Sequence, residues 1–342
     1  MKIAVIGSGA IGALVAGYLK NIGQDVFLVG HQDSVETIRK NGLKISGVRS
    51  NITVPIDICS STNIKEAVDL AIIATKTQDV QFAVSCNLKN LGEAIILTIQ
   101  NGVRADDIVA KFLPRENIIS SIVMFGATYL EPGSVVHNFE GRWILGRPYI
   151  KNDEKLNKVA AICKKAFPVF ITDDIWGMKW LKIFVNAHNC IPAILGKSMQ
   201  EIYADLEICK ISLSVWREAL EVVRKTGIKL VSLPDFSVER LNNISELPLE
   251  AGAKMFSGIM LGLSKEPLYG SILQSIKRGR PSEIDFINGE FVSLANNSGQ
   301  LALLNERLTA MVHKVELTKK FFSKEELLAQ TREFINTVPK VP

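Results

Sequence analysis

Three glycines at fixed spacing, Gly7, Gly9 and Gly12, follow a short β-type run at 3–6 and precede a helix-permissive apolar stretch at 11–19. A second β-type run, 26–29, comes after Gly23. Strand, G-x-G-x-x-G, helix, strand is the context that the dinucleotide-binding fingerprint requires. Gly7 permits the tight turn, Gly9 lets the backbone approach a pyrophosphate, and Gly12 lets the helix pack close to the strand. The helix start offers N–H groups and a positive dipole end to phosphates. Gly7, Ser8, Gly9, Ala10, Ile11 and Gly12 are therefore the candidate cofactor loop. The first twenty residues also look like a signal peptide, with a lysine, an apolar run and small side chains. A secretion signal has no reason to be followed by a matching second strand, so none is expected. No later stretch reaches the ~18 uncharged apolar residues of a membrane span.

The end of the second strand selects the dinucleotide: an acid there accepts bonds from a ribose 2′-OH, whereas a positive group holds a 2′-phosphate. The chain has Gly30-His31-Gln32, with no acid until Asp33. The missing acid favours NADP, with His31 a weaker, pH-dependent substitute for an arginine. The alternative is an ordinary exposed loop histidine.

At 342 residues, 47% hydrophobic and 22% charged, the chain has the length for about two domains and the apolar content for a large core. Its net charge of +5 carries no block of like charge, which fits binding of small anions and gives no support to dedicated nucleic-acid binding. Five scattered cysteines predict buried, reduced thiols in a cytoplasmic protein. Four histidines without zinc spacing predict no protein metal site.

Short β-type runs at 3–6, 26–29, 70–74 and 94–99 alternate with helical stretches, which predicts a parallel sheet with helices on both faces. After Ile118 come extended segments separated by turns such as Glu131-Pro132-Gly133-Ser134, expected as partly antiparallel strands at the edge of that sheet. A run at 169–172 closes the domain. From Asp174 the period shifts towards 3.6, with helices expected at about 175–195, 206–226, 251–262, 268–277, 284–297 and 302–320. A last helix starts at the capping-box pattern Ser323-Lys324-Glu325-Glu326. The expected fold is an α/β Rossmann-type domain, 1–172, followed by an all-α domain, 173–342.

Ligands in such sheets lie beyond the carboxyl ends of the strands, which singles out Lys76 after 70–74 and Asn101 after 94–99. Alone, the lysine usually reads as solvated and Asn101-Gly102 as a turn; together, in a dinucleotide fold, the functional reading stands level with that one. In the helical half, Lys182, Asn186 and Asn189 are spaced to share one helix face. Such a stripe can face solvent, but Ile183, Phe184, Val185, Cys190 and Ile191 argue for a largely buried helix, where polar groups need a partner or a ligand. Ser271 and Glu283 also stand out; capping and helix-end electrostatics are the alternative for Glu283.

The motifs G-S-G-A-I-G, A-T-K, Q-N-G, W-L-K-I-F-V-N and S-E-I-D-F-I-N-G, in this order, resemble the ketopantoate reductase (2-dehydropantoate 2-reductase) family to about residue 315. The resemblance implies NADPH-dependent reduction of 2-dehydropantoate to (R)-pantoate, on the route to pantothenate and coenzyme A. It implies an active site in the cleft between a Rossmann domain and a helical domain. Position by position, Lys182 matches the general acid, and Glu283 the carboxylate near cofactor and substrate hydroxyl. Ser271 matches a substrate-binding hydroxyl, Asn186 a substrate-binding amide, and Asn101 and Lys76 the residues placing cofactor and substrate. The chain departs from the pattern in three places. His31 replaces the usual arginine. Asn189 follows Asn186 by three residues where the family's second amide follows by four. The tail from about Phe321 runs past the usual end. Alternatives are a reductase of another 2-keto acid, an opine-type dehydrogenase, or a non-catalytic dinucleotide sensor; the joint presence of Lys182, Glu283 and Asn101 argues against the sensor. The expected partner is a small 2-keto acid, with no nucleic acid or membrane, and a homodimer is compatible with apolar faces in the helical half.

Overall fold

The computed structural model describes residues 1–49, 51–60, 64, 66–264 and 266–335. The chain divides into two compact units, the first Met1–Trp176 and the second starting at Gly177. This is four residues later than the change of period suggests, because helix Ile175–Ala187 begins before the division.

In the first unit, twelve strands are described: β1 Lys2–Ile6, β2 Asp25–Gly30, β3 Leu43–Gly47, β4 Ile52–Val54, β5 Asp57–Ser60 and β6 Leu70–Ile73. After these come β7 Ile95–Thr98, β8 Ile118–Val123, β9 Gly126–Glu131, β10 Ser134–Phe139, β11 Trp143–Gly146 and β12 Val169–Ile171. Eight form one sheet in the order β12-β11-β8-β7-β6-β1-β2-β5, parallel except where β11 pairs antiparallel with β8. Ile3, Ala4, Val5 and Ile6 are all buried, because a parallel sheet is covered on both faces. Helices α1 (Ala10–Asn21), α2 (Gln32–Asn41) and α6 (Glu154–Lys164) supply one covering layer. Helices α3 (Val80–Ser85) and α5 (Ala105–Val109) supply the other, while α4 (Leu88–Leu91) leads into β7. The chain runs from β1 outward to β2 and then crosses back to β6, so the order reverses at β1. That reversal is where such sheets take ligands.

The strands after Ile118 correct the expectation of a single sheet edge. Of the four strands between Ile118 and Gly146, β8 and β11 join the main sheet, while β9 and β10 belong to a second sheet, β4-β3-β10-β9. The deciding partner is β3, whose parallel pairing with β10 is a long-range contact that the short mixed segment Leu43–Gly47 does not announce. Gly17 lets α1 lie against this sheet, since a Cβ there would sit 2.4 Å from the Ile45 side chain. An aromatic core fills the space beside it: Phe125 stacks on Phe167 at 4.2 Å, and Tyr18 Oη lies 3.1 Å from Nδ1 of the buried His137.

The helices of the second unit are α7 Ile175–Ala187, α8 Cys190–Leu195, α9 Met199–Tyr203, α10 Leu206–Thr226 and α11 Val238–Glu246. They continue with α12 Leu249–Leu261, α13 Ser271–Lys277, α14 Asn288–Asn297, α15 Leu303–Thr318 and α16 Lys324–Ile335. Helix α10 matches its expected bounds, capped by Asp205 and ended by Gly227 at φ +74°. The helix expected over 175–195 is two helices. Pro192 removes an amide and crowds the carbonyl four residues back, that of His188, and the break falls there. The helix expected over 284–297 is likewise a 3₁₀ turn, Ile284–Phe286, followed by α14. Helix α16 has the expected capping box, with Ser323 N–H donating to Glu326 and Glu326 N–H to Ser323 Oγ. It packs on α10 and α15; residues 336–342 of the tail lie outside the described residues.

Of the cysteines expected to be buried, Cys163, Cys190 and Cys209 are; Cys59 is half-buried and Cys86 exposed. Among the described residues no helix is long and apolar enough to cross a membrane.

Candidate active site

In the first unit, β1, β2, β6 and β7 run parallel, so the segments after them lie along one edge of the sheet. Gly7 has φ +123°, and a Cβ there would lie 2.5 Å from the Ala74 carbonyl carbon. A Cβ on Gly12 would meet the Gly7 oxygen at 1.9 Å. Both glycines are thus required by the backbone itself. Gly9 is different: at the N-terminus of α1, its missing Cβ would meet nothing within 4 Å. That open face, with the N–H groups of α1 behind it, is a cradle that fits a pyrophosphate. Ser8 is buried with its hydroxyl turned to Gly30, while Ala10 and Ile11 open the helix.

His31 is exposed at the N-cap position of α2, directly after β2. Lys76 precedes a 3₁₀ turn after β6, and Asn101 follows β7; both are half-buried. The fold ties these two segments together through residues the sequence reading passed over. Gln100 donates from Nε2 to the carbonyls of Ile73 (2.7 Å) and Thr75 (2.9 Å), and the Thr77 hydroxyl donates to the Asn101 carbonyl. The buried Thr75 hydroxyl has no hydrogen-bond partner among the described residues, and the Thr75 backbone nitrogen stands beside Gly7. Only the long-range pairing of β6 with β7 brings these groups together, so local sequence carries no signal for them.

In the second unit, Lys182 and Asn186 lie one turn apart on α7, half-buried, while Leu181, Ile183, Phe184 and Ala187 are fully buried. Burial pulls the Lys182 ammonium down from 10.5 to about 8. His188, enclosed by Tyr203, Trp216 and Phe256, is pushed down to about 3 by burial and then by the Lys182 charge. It is therefore a neutral ring near the lysine. Asn189 is not on the straight continuation of that face: it sits in the turn between α7 and α8, its amide donating to the Asn186 carbonyl at 3.0 Å. It is buried, its Oδ1 has no hydrogen-bond partner, and it packs against Gly270, where a Cβ would lie 3.3 Å from Asn189 Cβ. Gly270 is the N-cap of α13 and Ser271 its exposed first residue, so the two sequence-distant candidates Asn189 and Ser271 become neighbours. Glu283, half-buried, lies on the turn before Ile284–Phe286.

A family model described as Ketopantoate reductase PanE/ApbA matches residues 3–148, and its C-terminal counterpart matches 174–316. The chain belongs to the ketopantoate reductase family. This family is one of oxidoreductases. The 2-dehydropantoate 2-reductase of Pyrococcus horikoshii is 31% identical over 92% of this chain and 98% of its own. The 2-dehydropantoate 2-reductase of Pyrococcus abyssi is 29% identical over 91% and 97%. Among solved structures, a D-mandelate dehydrogenase with NADH and anilino(oxo)acetate superposes with TM-score 0.81 at 24% identity, covering 93% of this chain and 99% of that one. A ketopantoate reductase from Ralstonia eutropha does so with TM-score 0.78 at 24% identity over 93% and 99%. These structures share the fold of a ketopantoate reductase: an N-terminal α/β dinucleotide-binding domain and a helical C-terminal domain.

Proposed function

We propose that this ketopantoate reductase family member reduces the ketone of a small 2-keto acid, 2-dehydropantoate foremost, to (R)-pantoate with NADPH, on the route to pantothenate and coenzyme A. The observation that carries the reading is Lys182: a half-buried lysine on a helix whose other sides are buried, with burial drawing its pKa to about 8. A proton donor works best when its pKa lies near the working pH, and a lysine at 8 donates more readily than one at 10.5 while staying mostly charged at neutrality.

A dinucleotide, when bound, would supply the hydride. The loop Gly7–Gly12 would hold its pyrophosphate and His31 its 2′-phosphate, while Lys76 and Asn101 would align it with the substrate. Lys182 Nζ polarises the ketone, then gives its proton to the carbonyl oxygen as negative charge builds there. Asn186, Asn189 and Ser271 hold the carboxylate and hydroxyl of the keto acid, and Glu283 accepts from the substrate hydroxyl. The reaction belongs in the cytoplasm, in keeping with the buried thiols of Cys163, Cys190 and Cys209.

A second reading, a reductase of another 2-keto acid, is favoured by one feature. Asn189 stands in a turn three residues after Asn186, where the family's second amide stands four residues after the first. NADPH consumption by the purified protein with 2-dehydropantoate, a panel of other 2-keto acids and an NADH control tests both. Turnover of 2-dehydropantoate is expected. Turnover of another acid alone moves the substrate and keeps the chemistry, and tight NADPH binding with no turnover of any overturns the enzyme reading.

A further inference from the structure

The turn that carries Glu283 is held from both shoulders by one side of α15. Before it, Ser282 donates its amide to Glu316 Oε1 at 2.6 Å. After it, Asp285 Oδ1 lies 2.9 Å from His313 Nε2. His313 Nδ1 in turn lies 3.0 Å from Glu316 Oε2, one helical turn away. The Ile284 amide closes the turn on Ser282 Oγ at 3.3 Å, and Ile284 itself is fully buried. One imidazole and one carboxylate therefore fix the residues on either side of Glu283.

We propose that His313 is a positioning residue for Glu283, clamping its turn to α15 through Asp285 and Glu316. The proposal rests on the reading of Glu283 as the carboxylate beside cofactor and substrate. The chemistry of the clamp follows from its partners. Both ring nitrogens face carboxylate oxygens, and only the imidazolium can donate to both; the neutral ring turns a lone pair on one of them. The clamp is complete while the ring is charged and loosens when it deprotonates.

Burial opposes the charge on His313, but Asp285 from the turn and Glu316 from its own helix outweigh it and raise its pKa above 6.5. Burial also raises Glu316, and the Ser282 hydroxyl and amide together with His313 bring it below its usual value. Three other charged groups on or against α15 have partners of their own. Glu218 of α10 accepts from the Leu304 and Asn305 amides, Lys314 lies over the Phe322 ring, and Arg307 over that of Phe334. The sign is therefore fixed: the clamp is intact below the ordinary histidine value and is lost as pH rises through the raised one.

The test pairs histidine NMR titration with NADPH-oxidation kinetics on 2-dehydropantoate in the full-length wild type, His313→Gln and His313→Arg. Arginine donates to both carboxylates at every pH, so it keeps the clamp and removes the switch. Against the wild type at pH 6, His313→Gln is expected to lose about tenfold in kcat/KM, chiefly through KM, from a loosened turn. It should also lack the decline above 6.5 that the wild type shows. His313→Arg is expected within about twofold of wild type, again without that decline. Wild-type kcat/KM and pH profile in His313→Gln would overturn the clamp. Glu283→Gln separates the two claims: normal kcat/KM there sinks the reading of Glu283, whereas an impaired Glu283→Gln beside a normal His313→Gln sinks the clamp alone. The titration decides even without turnover. A His313 pKa that is raised in the wild type and falls in Glu316→Gln supports the clamp, and an ordinary titration overturns it.

Discussion

The first unit offers a ligand mostly backbone, at the ends of parallel strands; the second offers side chains from a buried helix and two turns. Gly7 and Gly12 are fixed by contacts under 3 Å that any Cβ would make, so the residue type itself reports the geometry. Lys182 reports nothing by its type. Its proposed role as a proton donor rests on packing: Leu181, Ile183 and Phe184 are buried around it, and burial lowers its pKa to about 8. The contrast teaches that a backbone-built site survives reading in one dimension, while a site built by desolvation depends on tertiary packing.

The largest effect should come from the desolvated side. Lys182→Ala is expected to lower kcat by about a thousandfold, within the range for a lost general acid, while NADPH affinity barely moves. Stopped-flow reduction and a fluorescence titration of NADPH check the two halves of that statement. Unchanged kcat would remove Lys182 from the mechanism and collapse the comparison.

The backbone side breaks differently. Gly12→Ala drives a Cβ to within 1.9 Å of the Gly7 oxygen, so α1 must leave β1. An overpacking cost of roughly 3 kcal/mol should lower the melting temperature by about 10 °C. Gly9→Ala meets nothing within 4 Å, so it should melt like the wild type and yet bind NADPH about a hundredfold more weakly, its methyl filling the face the pyrophosphate needs. Equal thermal losses in both variants would show that the loop glycines are structural alone.

How much was legible follows the same division. The glycine loop, the strand runs around 3–6, 26–29, 70–74 and 94–99, and α10 from 206 to 226 all have local causes: steric need, alternation or caps. The second sheet was not legible, because β3 finds β10 some ninety residues away and neither strand alone says so. The kink at His188 was written in Pro192 but hidden by the apolar run around it. Gln100 and Thr77 were missed because their hydrogen bonds cross from β7 to β6, and the His313 bridge because its four members are scattered over 282–316.

A smaller effect sharpens the role of Lys182. With its pKa near 8, the protonated donor is the active form, so saturated kcat for reduction should be flat below pH 8 and fall about tenfold per unit above it. Lys182→Arg should remove that limb, since guanidinium stays charged throughout. A profile that rises through pH 8 would mean the neutral amine acts, as a base.

The smallest expected effect lies at a surface side chain of the backbone-built half, the proposed 2′-phosphate contact. His31 is exposed at the head of α2, whose N-terminus favours an anion, but Asp33 in the first turn opposes it and accepts the Ser34 amide. The 2′-phosphate would thus be held by a balance of modest terms in high dielectric, weaker than a buried arginine would provide. His31→Asp adds a second negative charge and should shift the NADPH-to-NADH ratio of kcat/KM towards NADH by about tenfold, less at high salt. Asp33→Asn should move it a few-fold the other way. If neither substitution moves the ratio while Gly9→Ala abolishes binding of both cofactors, selectivity too resides in the backbone of this edge and owes nothing to the exposed charges.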